Sequence, residues 1–207
     1  TKYGTLALAH NGNLTNTGDL AEMVQKLEGE SPKSGRGATT DTEIMTALIG
    51  LQDEKNLEAS AIAVLPKLEG AFSLVFMDEK TLYAARDRHG VRPLVIGKLE
   101  RGWVVASETA ALDIVGAAFV REVEPGEFLA INEEGIRSQM WATPDPKGCI
   151  FEYVYLARPD TTIAGQGVHA TRVQIGKRLA IEAPVEADLV IPVPESGTPA
   201  AIGYAQQ

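Results

Sequence analysis

An Asn-Gly pair, Asn11-Gly12, stands directly after His10 at the end of the apolar run Leu6-Ala7-Leu8-Ala9. Such a pair has two uses. Asn and Gly both tolerate positive φ, so the pair favours a tight corner between strands. It can also make an oxyanion hole, in which a Gly backbone N–H and an Asn side-chain amide converge on an oxygen that gains negative charge during acyl transfer. Asp41 offers a similar choice. Its carboxylate can favour the positive end of the helix that follows, sharing the cap with Thr40, or it can bind the α-ammonium of an amino-acid substrate. His10, a lone imidazole beside an apolar strand, reads as structural. Cys149 is the single cysteine. With His and Asn elsewhere in the chain it suggests a Cys–His nucleophile pair. It runs instead into Ile150-Phe151, read as an apolar strand in which a buried, inert thiol is expected.

Two further clusters could do chemistry. Arg86-Asp87-Arg88-His89-Gly90-Val91-Arg92-Pro93 is a dense charged turn between two strands. It fits a solvated loop with local ion pairs, or an arginine-rich wall near an anionic substrate or a domain interface. Pro194-Glu195-Ser196-Gly197-Thr198 follows an apolar strand and precedes a helix, where the crevice at the carboxyl end of a strand binds ligands. Ser196 and Thr198 could offer oxygens to a metal or a sugar phosphate. The glycine and lysine spacing of a P-loop is absent.

These residues need elements to hold them. Residues 6–9 read as a strand, and 17–27 as a helix with Leu20, Met23, Val24 and Leu27 at helical spacing. Residues 30–38 are polar with Gly and Pro and read as a loop. Thr40-Asp41-Thr42-Glu43 has capping-box spacing and opens a second helix through Ile44, Ala47, Leu48 and Leu51. A third helix covers 56–68. After Gly70 the period changes, and short strands are expected at 71–77, 81–85, 94–97, 103–107, 120–123, 127–131 and 135–139. Helices followed by a run of strands point to α+β with antiparallel sheets. The Pro- and Gly-punctuated residues 143–148 mark a domain boundary. Beyond it, 150–156 and 189–193 read as strands, the second of the doubly buried kind, and 168–183 and 199–207 as helices. That is the opening of an α/β domain.

The bulk properties exclude several classes. The net charge of −9 opposes a nucleic-acid surface. No apolar run approaches the roughly 18 residues that span a bilayer. A single cysteine rules out an internal disulfide and suits a reducing compartment, so a cytoplasmic protein without nucleic-acid or membrane partners is expected. The chain begins at Thr1 and ends at Gln207 within a helical pattern, and reads as an internal fragment.

Taken together, seven stretches resemble the amidophosphoribosyltransferase family, the glutamine-dependent enzymes that open de novo purine synthesis. They are Ala9-His10-Asn11-Gly12-Asn13-Leu14-Thr15-Asn16, Thr40-Asp41-Thr42-Glu43-Ile44, Leu68-Glu69-Gly70-Ala71-Phe72-Ser73, Ala85 through Leu94, Ala106-Ser107-Glu108-Thr109, Phe151 through Asp160, and Ile191 through Ser196. The first four also occur in looser form in other N-terminal-nucleophile glutaminases; Phe151 to Asp160 and Pro192 to Ser196 make the match specific. The resemblance implies an N-terminal-nucleophile glutaminase fold of stacked antiparallel sheets with helices over 1–143, then the start of an α/β phosphoribosyltransferase domain over 149–207.

It also implies a chemistry. An N-terminal cysteine attacks the glutamine amide, with its own α-amine as base. Ammonia then passes to a second site and displaces pyrophosphate from Mg-bound phosphoribosyl pyrophosphate, giving 5-phosphoribosylamine and glutamate on the way to IMP. By motif, Asn11 and Gly12 are the oxyanion pair, Asp41 holds the glutamine ammonium, Tyr155 lines the passage, and Ser196 sits by Mg and the phosphoribosyl group. Cys149 falls where some members place the first ligand of a 4Fe-4S cluster. A homotetramer is the implied assembly. The nucleophile, the acidic phosphoribosyl motif and further cluster cysteines are not in these residues, so the fragment itself is expected to be inactive and to expose sheet edges. The rivals are another N-terminal-nucleophile amidotransferase, of the glucosamine-phosphate or glutamate synthase type, and a non-catalytic ligand-binding paralogue. The two specific stretches oppose the first, and the identity of the N-terminal residue separates the second.

Overall fold

The computed structural model describes residues 4–28 and 40–207; the loop expected at 30–38 lies outside the described residues. Along the chain the elements are β1 (Ala7–Leu14), α1 (Thr17–Glu28), α2 (Asp41–Leu51), α3 (Leu57–Val64) with a 3-10 turn (Leu65–Lys67), β2 (Gly70–Met77), β3 (Leu82–Arg86), β4 (Val95–Leu99), β5 (Gly102–Ala106), α4 (Thr109–Ile114), β6 (Ala118–Glu122), β7 (Glu127–Asn132), β8 (Gly135–Met140), a π-helical turn (Glu152–Leu156), β9 (Thr162–Ile163), β10 (Gln166–Gly167), α5 (Val168–Glu182) and α6 (Thr198–Gln206). They form two compact units, one of Thr1–Leu94 with Val123–Gly148 and one of Val95–Glu122 with Cys149–Gln207.

The first unit is a helical layer on an antiparallel sheet of order β1-β2-β3-β7-β8. Strand alternation divides the sheet into two faces. Leu14, Phe72, Leu74, Phe76, Tyr83, Ala85, Phe128 and Ala130 share one face and pack with Leu20, Val24, Ile44, Met45, Leu48 and Leu57 of the helices. Each large side chain so buried contributes about 1.5–3 kcal/mol. Phe76 stacks on Tyr83 at 4.9 Å and Phe72 on Trp141 at 5.9 Å.

The helix starts follow from local chemistry. Thr40 accepts the Glu43 N–H, and the Glu43 side chain returns to the Thr40 N–H, a complete capping box. Asn56 caps α3 by accepting from Ala59 N at 2.9 Å. Thr40→Ala should therefore cost about 1 kcal/mol of stability, read as a lower denaturant midpoint at unchanged m-value.

The second unit contains the antiparallel sheet β5-β4-β6. It also contains α5 and α6, which pack backbone against backbone: a Cβ on Gly176 would lie 1.9 Å from Ala200 O, and one on Gly203 2.0 Å from Val173 O. Arg172, almost fully buried, donates to the carbonyls of Tyr153 and Ala157 and so fastens the π-helical turn to α5. The segment 95–122, read from sequence with the residues on either side of it, is fastened inside this unit: Glu108 accepts from Arg158 N, and Thr109 Oγ1 accepts from Thr162 N.

Three expectations are corrected. Asn11-Gly12 is not a corner; β1 runs straight through it, with Asn11 opposite Ser73 and Gly12 opposite Phe72. Residues 150–156 are not a strand but enter the π-helical turn, and Ile150 and Phe151 are 64% and 61% exposed. Residues 189–193 form no strand, and Leu189, Ile191 and Val193 are exposed. Apolar composition predicts burial, but a strand also needs a neighbour for its N–H and C=O groups, and none of the described residues pairs with this segment. The short helix α4 was not foreseen.

Candidate functional site

The site is built on the sheet face away from the helices. Register places Asn11 of β1, Ser73 of β2 and Arg86 of β3 side by side in one row on that face. Arg92 closes over the row. Its backbone carbonyl accepts from Ser73 Oγ at 3.1 Å and Arg86 Nε at 2.9 Å. Its guanidinium donates twice to Asn11 Oδ1, from Nε at 3.0 Å and Nη2 at 2.8 Å. The amide of Asn11 therefore has a defined direction: the carbonyl end faces the cation and the NH2 end faces the other way.

The charged turn at 86–93 is a scaffold. Arg86 is buried and donates to three backbone carbonyls, those of Arg92, Gly90 and Val123. Asp87, 1% exposed, accepts from the N–H groups of Phe72, His89 and Val91. Gly90 takes a positive φ of 60° and its N–H returns to Asp87 O. Trp141 Nε1 donates to the Arg86 carbonyl. His89 Nδ1 lies 2.8 Å from Asp145 O, and Lys147 N donates to His89 O, so residues 145–147 brace the turn from outside. The solvated-loop reading fails for Arg86 and Asp87; only Arg88 is exposed. The sequence signal for this scaffold is a strand ending in Arg-Asp with Gly and Pro close behind, a pattern equally compatible with a solvated loop.

Gly12 is extended at a φ of +148°, and a Cβ there would lie 2.0 Å from Ala71 O. No side chain fits, because the backbone of the neighbouring strand passes too close at Ala71 and Phe72. Asp41, the first residue of α2, accepts from Leu14 N at 2.8 Å, so its carboxylate ties the helix to the strand that carries Asn11 and Gly12. Thr40, not Asp41, is the cap. Asn16 fixes the far end of the motif by accepting from Glu69 N and donating to Lys67 O. His10 points toward the helical layer with Leu14. Burial lowers its pKa from 6.5, opposed by the Asp41 carboxylate and a backbone bond to Ala71, and its Nε2 is buried without a partner.

The structure thus ties Asn11, Gly12 and Asp41 to one strand. The other sequence-predicted residues lie in the second unit. Cys149 is half-buried ahead of the π-helical turn, not sealed in a strand. Tyr155 is on that turn and 65% exposed. Ser196 is half-buried in the turn before α6. Among the described residues no group of three or more His, Cys, Asp or Glu could hold a metal ion by itself, and no helix is long and apolar enough to cross a membrane.

β1 thus presents an asparagine amide of fixed direction next to a glycine, backed by a turn with a buried arginine. The family profile for the glutamine amidotransferase domain matches residues 1–114, and the chain belongs to that family. Its similarity to one particular enzyme extends much further along the chain. It is 62% identical to the amidophosphoribosyltransferase of Mycobacterium leprae over 98% of this chain and 36% of that protein. It is 44% identical to that of Bacillus subtilis over 98% of this chain and 42% of that protein. The fold matches a solved glutamine phosphoribosylpyrophosphate amidotransferase from B. subtilis, complexed with ADP and GMP, with a TM-score of 0.91 and 42% identity, covering 100% of this chain and 44% of that one. The chain spans about two fifths of the length of these relatives.

Proposed function

We propose that this chain forms the glutamine-splitting part of an amidophosphoribosyltransferase. The whole protein would release ammonia from glutamine and transfer it to phosphoribosyl pyrophosphate, giving 5-phosphoribosylamine, glutamate and pyrophosphate in the first committed step of purine synthesis. The observation that carries the reading is the direction imposed on the Asn11 amide, next to Gly12 on the same strand. Similarity along the whole chain to enzymes of that name supports the acceptor.

The chemistry follows from charge. When a nucleophile adds to the side-chain amide carbon of glutamine, the C=O π electrons move onto oxygen. Asn11 Nδ2 and the Gly12 N–H donate to that oxygen, and a preorganised donor lowers the barrier more than it aids ground-state binding. Collapse of the adduct breaks the C–N bond as the nitrogen takes a proton and leaves as ammonia, and water then cleaves the glutamyl–nucleophile bond to give glutamate and the free nucleophile. No residue of this chain is assigned as the nucleophile; by the resemblance it is an N-terminal cysteine. Asp41 holds the substrate α-ammonium. Asp41→Asn should raise KM for glutamine about tenfold with a smaller effect on kcat, measured by glutamate release in the full-length protein.

The implied cofactors fit unequally. One thiolate, Cys149, does not make a 4Fe-4S site, which needs four, so no step runs through a cluster. Mg2+ that arrives with a pyrophosphate asks for only one or two protein carboxylates, and the exposed Glu195 beside Ser196 fits that demand. When bound it would neutralise charge on the departing pyrophosphate. Tyr155 would line the ammonia passage. The reading carries with it a homo-oligomer, a tetramer by the resemblance, and a cytoplasmic location. Glutamine labelled with 15N in its amide tests the acceptor: the label should appear in 5-phosphoribosylamine formed by the full-length protein. Label found only as free ammonia, with phosphoribosyl pyrophosphate intact, would assign a different amidotransferase.

A further inference from the structure

We infer that Arg92 is a positioning residue for Asn11: it fixes which end of the Asn11 amide faces the substrate oxygen. The inference rests on the reading of Asn11 as an oxyanion donor. An asparagine amide has an acceptor end and a donor end of nearly the same shape, related by a half-turn about χ2. Presented the wrong way, it would put a carbonyl dipole against a developing negative oxygen. The two N–H groups of Arg92 on the single Asn11 Oδ1 settle the orientation, because the flipped amide would aim its own N–H groups at a cation. A positive charge on the carbonyl end also draws electron density from the nitrogen and strengthens Nδ2–H as a donor.

The geometry is built for this task. Arg92 is only half-buried, yet its backbone is held at the carbonyl by Ser73 and Arg86. Ser73 lies directly opposite Asn11 on the neighbouring strand, so a single sheet row sets both the asparagine and the residue that aims it. The preceding residue, Val91, is tied by its N–H to buried Asp87, and the following Pro93 is buried. A flexible arginine is thereby reduced to a fixed donor pair, as a functional group on a rigid support requires.

The test is a double-mutant cycle in the full-length protein, with glutaminase kinetics as readout. Arg92→Met should lower kcat about 10²-fold, comparable to loss of one oxyanion donor, with KM changed less than about threefold. Arg92→Lys, which keeps the charge and can give one N–H to Oδ1, should recover part of that loss. In an Asn11→Ala background the same Arg92 substitutions should cost less than about threefold more, since the group they aim is gone. Thermal melts identify a variant that fails to fold, in which case the cycle is run with Arg92→Lys. Equal losses with and without Asn11, or a loss confined to KM, would overturn the positioning role while leaving the glutaminase reading intact. A wild-type protein that releases no glutamate would remove that reading, and this inference with it.

Discussion

Asn11→Ala should lower kcat for glutamine hydrolysis by about 10²–10³-fold in the full-length protein, with little change in KM. The split is the informative part. On the proposed reading, the neutral amide oxygen of bound glutamine would need little from Asn11, whereas the negative oxygen of the tetrahedral adduct would need a donor that is already aimed. Asn11 Oδ1 is committed to Arg92, so the amide has no orientation to find when the charge develops. An interaction made mainly in the transition state appears in kcat and kcat/KM together. A loss expressed in KM alone would mean that Asn11 binds glutamine rather than stabilising the adduct. Asn11 is only half-buried and lies on β1, an edge strand of the sheet, so its truncation opens no sealed cavity.

The second large effect is on stability. Asp87→Ala should destabilise the fold by about 3–5 kcal/mol, measured by denaturant unfolding. The carboxylate is 1% exposed and accepts three backbone N–H groups, from Phe72, His89 and Val91. Alanine leaves those donors without an acceptor, and a buried orphan donor loses its full desolvation cost. Asp87→Asn keeps one acceptor oxygen and should lose roughly half as much. Because these bonds set the path of the turn that carries Arg92, surviving Asp87→Asn protein should also show a reduced kcat for glutamine. Destabilisation below about 1 kcal/mol in Asp87→Ala would show that the turn holds its shape without the carboxylate.

What was legible in the sequence follows from what each pattern physically encodes. The capping box at Thr40 and Glu43 and the period change after Gly70 are local, and both appear as expected: α2, β2, β3 and β7 each bury a face in the core of the first unit. Asn11-Gly12 was ambiguous for a definite reason. A glycine tolerates the φ that a corner needs, but the same freedom serves a strand crossing close to the Ala71 carbonyl. Only the pairing with β2 decides between them. The apolar residues at 150–156 and 189–193 resemble strands in sequence because hydrophobicity marks a segment that favours burial and is silent on its hydrogen-bond partners. The site itself was half visible. Asn11, Gly12 and Asp41 were singled out from type and context. The roles of Arg86, Asp87 and Arg92 were hidden, since a charged turn becomes a scaffold only through contacts far apart in sequence, such as Arg92 with Asn11.

The most direct test of the central claim is glutamate release by the full-length protein, measured with and without phosphoribosyl pyrophosphate. Glutaminase activity that phosphoribosyl pyrophosphate stimulates is the predicted result, since a coupled enzyme gains nothing by releasing ammonia before its acceptor is bound. Absence of glutamate release under both conditions would contradict the account and leave a ligand-binding protein on a glutaminase fold.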